Sequence, residues 1–410
     1  MAQVRPFKCV RPAANVVDKV AALPYDVYNR AEAKQVVEKN PISFLAIDRA
    51  ETQFDDSHDM YADDVYEKAR EIFEKQLAEG IYESDESLAY YVYALTMDGR
   101  TQTGIVACSS IDDYQNGVIK KHENTRAEKE ADRIHHVDTM SAQTGPIFLA
   151  YRANEVIRAE VAKAKAAGSI YDFTSEDGIR HQVYKIDNAD SVKAIKEAFD
   201  GINEIYIADG HHRAASAVKV GLKRRDENPG YTGDEEFNFF LSVLFPDEEL
   251  MILPYNRVLM DLNGLSTEAF LAEVAKKFDI EELNSAFEPD KKATFGMFLD
   301  DKWYKLSAHK DILSTDPVAG LDVAILQDNL LDPILGIKNP KTDPRIDFVG
   351  GIRGIGELEK RCHEDAKVAF SMYATSIAEL FDVADAGLLM PPKSTWFEPK
   401  LRSGIFIHRI

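Results

Sequence analysis

Residues 204–218 read Glu204-Ile205-Tyr206-Ile207-Ala208-Asp209-Gly210-His211-His212-Arg213-Ala214-Ala215-Ser216-Ala217-Val218. An apolar, β-branched and aromatic run ends at the turn pair Asp209-Gly210, and an alanine-rich helical pattern begins directly after it. The stretch therefore predicts a strand, a tight turn and a helix. A helix N-terminus presents unpaired N–H groups and the positive end of its dipole, which makes the turn a ready anion site. Gly210 permits close backbone approach, while His211, His212 and Arg213 can donate hydrogen bonds to phosphate oxygens. Asp209, at the carboxyl end of the strand, is placed to hold a metal ion or activate a hydroxyl. The plainer alternative is that Asp209 caps the helix and the histidines are surface residues. Adjacent histidines point about 100° apart on a helix. A zinc helix uses an i, i+4 pair instead, so a zinc enzyme is disfavoured.

Outward from this stretch, short strand-like runs alternate with helical patterns. Strands are expected at 44–48, 89–95, 104–109, 182–186, 239–245, 251–258 and 368–373. Helices are expected at 61–80, 125–140, 154–167, 191–199, 211–220, 267–278 and 377–383. In the first of these, Tyr61, Val65, Ala69, Ile72, Phe73 and Leu77 share one face at spacings of three and four. The class is α+β, a mixed α/β chain. Polar loops at Asp226–Glu236 and Ile337–Arg345, and a new α/β pattern from Leu262, suggest three regions: 1–110, 111–260 and 261–410. No repeat of solenoid or propeller period is present.

With 410 residues and 45% hydrophobic side chains, the chain has enough apolar material for sizeable cores. Its 49 basic and 70 acidic side chains leave a formal charge of −21, which argues against a nucleic-acid coat or a basic membrane-surface protein. No apolar run approaches the roughly 20 residues of a membrane helix. Met1–Phe7 lacks the apolar core of a secretory signal, and Cys9, Cys108 and Cys362 are isolated, with no CxxC pair. A reducing cytoplasmic location is expected, with the cysteines as small buried residues.

Five of the ten histidines fall in two clusters. The second cluster runs from Lys120-Lys121-His122-Glu123-Asn124-Thr125-Arg126 to Asp132-Arg133-Ile134-His135-His136. A short strand is expected to enter a helix here, with Thr125 and Glu128 spaced as a capping box. Lys121, His122, Arg126 and Arg133 make it the most basic stretch of an acidic protein and are expected phosphate ligands. A solvated helix face is the alternative account. Glu123, set among cations, is expected to stay ionised and to serve as base or metal ligand. If both clusters face one pocket, it holds two carboxylates, several cations and two helix N-termini, the equipment of phosphoryl transfer.

Two further segments are weaker signals. Gly350-Gly351-Ile352-Arg353-Gly354-Ile355-Gly356 precedes a helical pattern but matches no phosphate-loop fingerprint. The segment Met390-Pro391-Pro392-Lys393-Ser394-Thr395-Trp396-Phe397 carries prolines and aromatics unusual for a frayed tail. It is expected to be tied down, with Lys393, Ser394, Thr395 and Trp396 as candidate substrate contacts. No G-x-S-x-G elbow is present, and a helix would point Cys362 and His363 apart.

Pro24-Tyr25-Asp26-Val27, Lys121-His122-Glu123-Asn124-Thr125, Asp132-Arg133, Gly145-Pro146-Ile147-Phe148, Ala208–Arg213 and Met390–Phe397 together resemble the domain of unknown function 1015 family over essentially the whole chain. The Asp-Gly-His-His-Arg element also resembles the turn of the ParB/sulfiredoxin-like fold and of its free-serine kinases. The resemblance implies a ParB/sulfiredoxin-like core with large elaborations. It implies Asp209 as the motif aspartate, Gly210–Arg213 as the phosphate turn and Glu123, by its His-Glu context, as the catalytic glutamate. It further implies a kinase acting on a small hydroxylated metabolite, with free L-serine as acceptor, pyrophosphate, ATP or ADP as donor, and Mg2+ held by Asp209 and Glu123. A homo-oligomer is compatible with this reading. The competing expectations are a non-enzymatic ParB-like regulator binding nucleotide or DNA, against which the charge speaks, and a metal-dependent phosphoesterase.

Overall fold

The strand Ile205–Asp209 forms as read, and its first four residues are buried. The computed structural model describes residues 1–125 and 127–410. Arg126, one of the expected phosphate ligands, lies outside the described residues. The chain divides into two compact units, Met1–Leu250 with Pro399–Ile410, and Met251–Glu398.

In the first unit the described residues form a nine-stranded mixed sheet. Its order is Ile119–Lys120, Ile205–Asp209, Ile147–Tyr151, Phe239–Pro246, Arg100–Ser110, Tyr90–Met97, Arg180–Ile186 and Tyr171–Thr174, with Val4–Arg5 added on Arg100–Ser110. Ile205–Tyr206 runs parallel to Ile119–Lys120, and Ser242–Pro246 runs parallel to Ile147–Tyr151; the remaining pairs are antiparallel. Strands covered on both faces read as continuous apolar runs, as Phe239–Phe245 does. Helix His211–Glu227 lays Ala214, Ala217 and Val218 into the core shared with Ile119, Ile147 and Phe240. Each fully buried Ile or Phe there contributes about 2–3 kcal/mol. At Gly221 of this helix a Cβ would lie 2.4 Å from the Phe237 carbonyl oxygen, so only glycine permits the approach. The architecture is α+β, as expected.

The second unit is built on a six-stranded antiparallel sheet in the order Phe278–Leu283, Lys302–Ala308, Thr294–Leu299, Val368–Ser371, Tyr255–Leu259, Ile346–Gly350. Position 110 falls inside the first unit, where the strand Arg100–Ser110 passes into the helix Ile111–Gln115 through a Ser110 cap. The later division stands at 250/251 because Ile252–Leu259 already pairs within the second unit. Pro399–Ile410 rejoins the first unit, where Ile407 bridges Val10 and His408-Arg409 pairs with Ala142-Gln143.

One expected strand is a helix instead. Leu45–Asp48 is a single helical turn whose four residues are all buried. A short run without polar alternation carries no period that separates a strand from a buried helix. Among the described residues no helix is long and apolar enough to cross a membrane.

Candidate functional site

The ladder between Ile205–Asp209 and Ile147–Tyr151 slips by one residue between Ile207 and Asp209. Such an irregularity re-aims the last side chain of a strand. Gly210 follows in the left-handed region at φ +94°, and the helix begins at His211. Asp209 does not cap it: one carboxylate oxygen accepts the Gly210 N–H at 2.8 Å and the other accepts the Lys400 ammonium at 3.1 Å. Among the described residues no side chain caps this helix, whereas Asn154, Asn188 and Ser266 each cap theirs. An anion would complete the open end. Burial pushes the Asp209 carboxyl up, but the charges of Lys400 and Arg213 outweigh it and hold the group well below the usual carboxylate range.

Arg213 is folded against its own turn. Its guanidinium donates to the Pro146 carbonyl at 2.6 Å, and a Cβ on Gly210 would lie 3.2 Å from its Nε. The Gly145-Pro146 segment thus anchors the Arg213 guanidinium.

His122 and His211 are both buried, with ring centroids 4.5 Å apart. Burial pushes His122 down to about 4, against the pull of Asp209 and a hydrogen bond to the Ile207 backbone. Burial, reinforced by His122, holds His211 well below its ordinary value. Both imidazoles are neutral at pH 7. Nδ1 of His122 and Nε2 of His211 have no hydrogen-bond partner among the described residues.

A pocket of about 60 Å³ is lined by Tyr25, Asp26, Glu123, Asp209, Gly210, His211, His212 and Arg213. At 10–15 Å³ per water this is room for about four waters, the scale of one phosphoryl group. Glu123, from the second cluster, and Asp209–Arg213, from the first, are therefore gathered at one cavity. Tyr25 and Asp26 were not read as site residues; their signal was the Pro24-Tyr25-Asp26-Val27 motif. His122 lies behind the pocket against His211. Lys121 is exposed, with its Nζ 6.0 Å from the Tyr114 ring centroid.

Arg133 is engaged elsewhere. Its guanidinium donates to Asp132 at 2.9 Å, lies 3.8 Å from Asp48 and stacks 4.0 Å over the Tyr25 ring. It lines a second cavity of about 200 Å³, which shares Tyr25 and Asp26 with the first. The Thr125 hydroxyl donates to the Glu130 carboxylate at 2.6 Å.

Lys393–Trp396 belongs to the second unit. The Ser394 hydroxyl donates to the Pro391 carbonyl at 2.6 Å and the Trp396 indole N–H to Glu398 at 2.9 Å, while Trp396-Phe397 pairs with Ile252-Leu253. The segment is tied down, as its composition suggested.

Comparison with known proteins gives weak structural likenesses. A free serine kinase mutant in complex with AMP aligns at 13% identity and TM-score 0.37, covering 74% of this chain and 91% of that chain. A free serine kinase mutant in complex with ADP aligns at 13% identity and TM-score 0.36, covering 75% and 93%. SbnI with C-terminal truncation from Staphylococcus aureus aligns at 11% identity and TM-score 0.39, covering 72% and 82%. No curated protein matches the chain in sequence. The profile of the family described as protein of unknown function, DUF1015, matches residues 4–324, and the chain belongs to that family.

Proposed function

We propose that the first unit is a phosphotransferase that phosphorylates a small hydroxylated metabolite. The observation that carries this reading is the uncapped helix start behind Asp209-Gly210, in one pocket with Glu123 and Arg213. Free L-serine as acceptor, and pyrophosphate, ATP or ADP as donor, come from the likeness of Asp209–Arg213 and His122-Glu123 to free-serine kinases. The ParB/sulfiredoxin-like description of the core belongs to the same proposal.

The acceptor hydroxyl oxygen attacks the terminal phosphorus of the donor, and its proton passes to the Glu123 carboxylate. As the new O–P bond forms, the bond to the leaving phosphate or nucleotide breaks, and the leaving oxygen takes the electron pair. The first-turn N–H groups, with His211, His212 and Arg213, hold the phosphoryl oxygens. The neutral His211 imidazole donates to oxygen without adding positive charge.

Three carboxylates, Asp26, Glu123 and Asp209, line the pocket. They would repel a bare phosphate, so the donor set suits a Mg2+-complexed one. No three His, Cys, Asp or Glu side chains among the described residues form a metal cage. Mg2+ needs only one or two carboxylates alongside substrate phosphates and water, and Asp209 with Glu123 would supply them. When bound, the ion neutralises phosphoryl charge.

The test is formation of O-phosphoserine from serine with pyrophosphate, ATP and ADP in turn. Asp209→Asn and Glu123→Gln are expected to lower kcat by about 100-fold or more. Full activity in both variants overturns the assignment.

A further inference from the structure

Among the described residues four arginines are buried: Arg49, Arg133, Arg257 and Arg402. Three are paired with carboxylates: Arg49 with Glu51, Arg133 with Asp132, and Arg402 with Asp177. Arg257 is the exception. It lies in the strand Tyr255–Leu259 of the second unit, only 3% exposed, and no described carboxylate pairs with it. Its guanidinium donates to two backbone carbonyls, that of Tyr255 and, at 3.1 Å, that of Lys393. A guanidinium carries five N–H groups, so three have no acceptor among the described residues. The Phe348 ring lies 5.4 Å from its Cζ. Leaving a buried charge without a counter-ion is destabilising. Burial alone pulls this group down to about 10, with only a weak opposing effect from Tyr255.

Both sequence segments left without a role converge on this residue. Lys393, at φ +60°, turns its carbonyl to Arg257, and its ammonium lies 5.3 Å over the Tyr255 ring. The next carbonyl, of Ser394, accepts the Thr375 hydroxyl at 3.0 Å. Trp396 packs on Tyr255 with centroids 5.0 Å apart, and a Cβ on Gly350 would lie 2.9 Å from its indole. The loop is therefore fixed from two sides, and its Lys393 ammonium lies over the ring of Tyr255, two residues before Arg257 in the strand.

We infer that the second unit carries an oxyanion site centred on Arg257, with Lys393 as its second cation, that takes the phosphate group of a small ligand. A planar guanidinium with unused N–H groups suits two oxygens of one anion, and two cations favour a dianionic phosphate over a single carboxylate. The inference stands on the second unit alone and does not rest on the reaction proposed for the first.

The experiment uses the full chain in an Arg213→Met background, which removes the cation of the first unit's pocket, with phosphate and pyrophosphate titrated by calorimetry and by thermal unfolding, and acetate as the carboxylate arm. Arg257→Met is expected to weaken phosphate binding at least tenfold, and Lys393→Met several-fold. In phosphate-free buffer Arg257→Met is expected to raise Tm, because an uncompensated buried charge is gone. Unchanged phosphate affinity in folded Arg257→Met overturns the inference. Should that variant not fold, unchanged affinity in the exposed-site variant Lys393→Met overturns it. An acetate response equal to that of phosphate overturns the assignment of the anion.

Discussion

The rings of His122 and His211 meet edge to face, centroids 4.5 Å apart and planes at 86°, and each keeps a buried nitrogen without a hydrogen-bond partner among the described residues. Buried polar atoms are normally paired, and an unpaired one lowers stability unless something else meets it. Behind an uncapped helix end, such atoms are what a ligand's oxygens or an ordered water would meet.

The first prediction concerns pH and stability. His122 is pushed down to about 4 by burial, while an unfolded histidine takes its proton near 6.5. Between those values the unfolded chain binds more protons, so stability is lost as pH falls through the window. For His122 alone the full loss is of order 3 kcal/mol. Burial also pushes His136 down to about 4, which adds in the same direction. Urea midpoints measured from pH 7.5 to 4.5 are expected to fall steeply, and His122→Asn, which cannot charge, to flatten the slope. An unchanged slope in His122→Asn would mean that the folded histidine titrates normally.

Gly210→Ala tests the turn. Its φ of +94° strains any side chain, at about 1–2 kcal/mol, and the new Cβ would press on the Arg213 guanidinium at 3.2 Å. The expected outcome is a lowered urea midpoint together with weaker donor binding, because Arg213 shifts from the Pro146 carbonyl. Donor affinity equal to wild type would show that the position of Arg213 does not matter to the anion.

The strand, turn and helix at 205–227 were legible because each level agrees locally: a β-branched run, an Asp-Gly turn and an alanine-rich face. The helix runs past the expected residue 220 to Glu227. Its last turn is polar, with Arg224 and Arg225 held by Asp138 and Asp112, and apolar spacing cannot see such contacts. The ion pairs of Arg133 were not legible. Charge clustering suggests a phosphate ligand and does not reveal Asp48, which lies on a helical turn that reads as a strand. Nor does local pattern reveal that Pro399–Ile410 returns to the first unit to bring Lys400 to Asp209. That contact spans 191 residues, and only tertiary packing selects it.

Lys400 gives a prediction from that contact. The Asp209 carboxyl is pushed up by burial and held down chiefly by Lys400 and Arg213. Removing the ammonium in Lys400→Met lets the carboxyl rise toward its ordinary value. The acid limb of kcat/KM is then expected to move to higher pH. Lys400→Arg keeps the charge and is expected to retain the wild-type limb. An acid limb identical in wild type and Lys400→Met would show that Arg213 alone keeps Asp209 ionised, or that Asp209 does not govern the rate.

Arg133 separates stability from substrate binding. It is 7% exposed and neutralises Asp132 and Asp48 while covering Tyr25. Arg133→Met would leave two carboxylates in a poorly hydrated cluster without their cation, at a cost of about 3–5 kcal/mol. The urea midpoint is expected to fall accordingly, while the donor KM of the folded fraction stays within about twofold of wild type. His136 and Thr144 also approach Asp48, at 3.9 and 3.4 Å, and neither supplies a lasting positive charge at pH 7, so they cannot replace the guanidinium. A tenfold rise in donor KM with unchanged stability would place Arg133 among the phosphate ligands, where its sequence neighbours had suggested it.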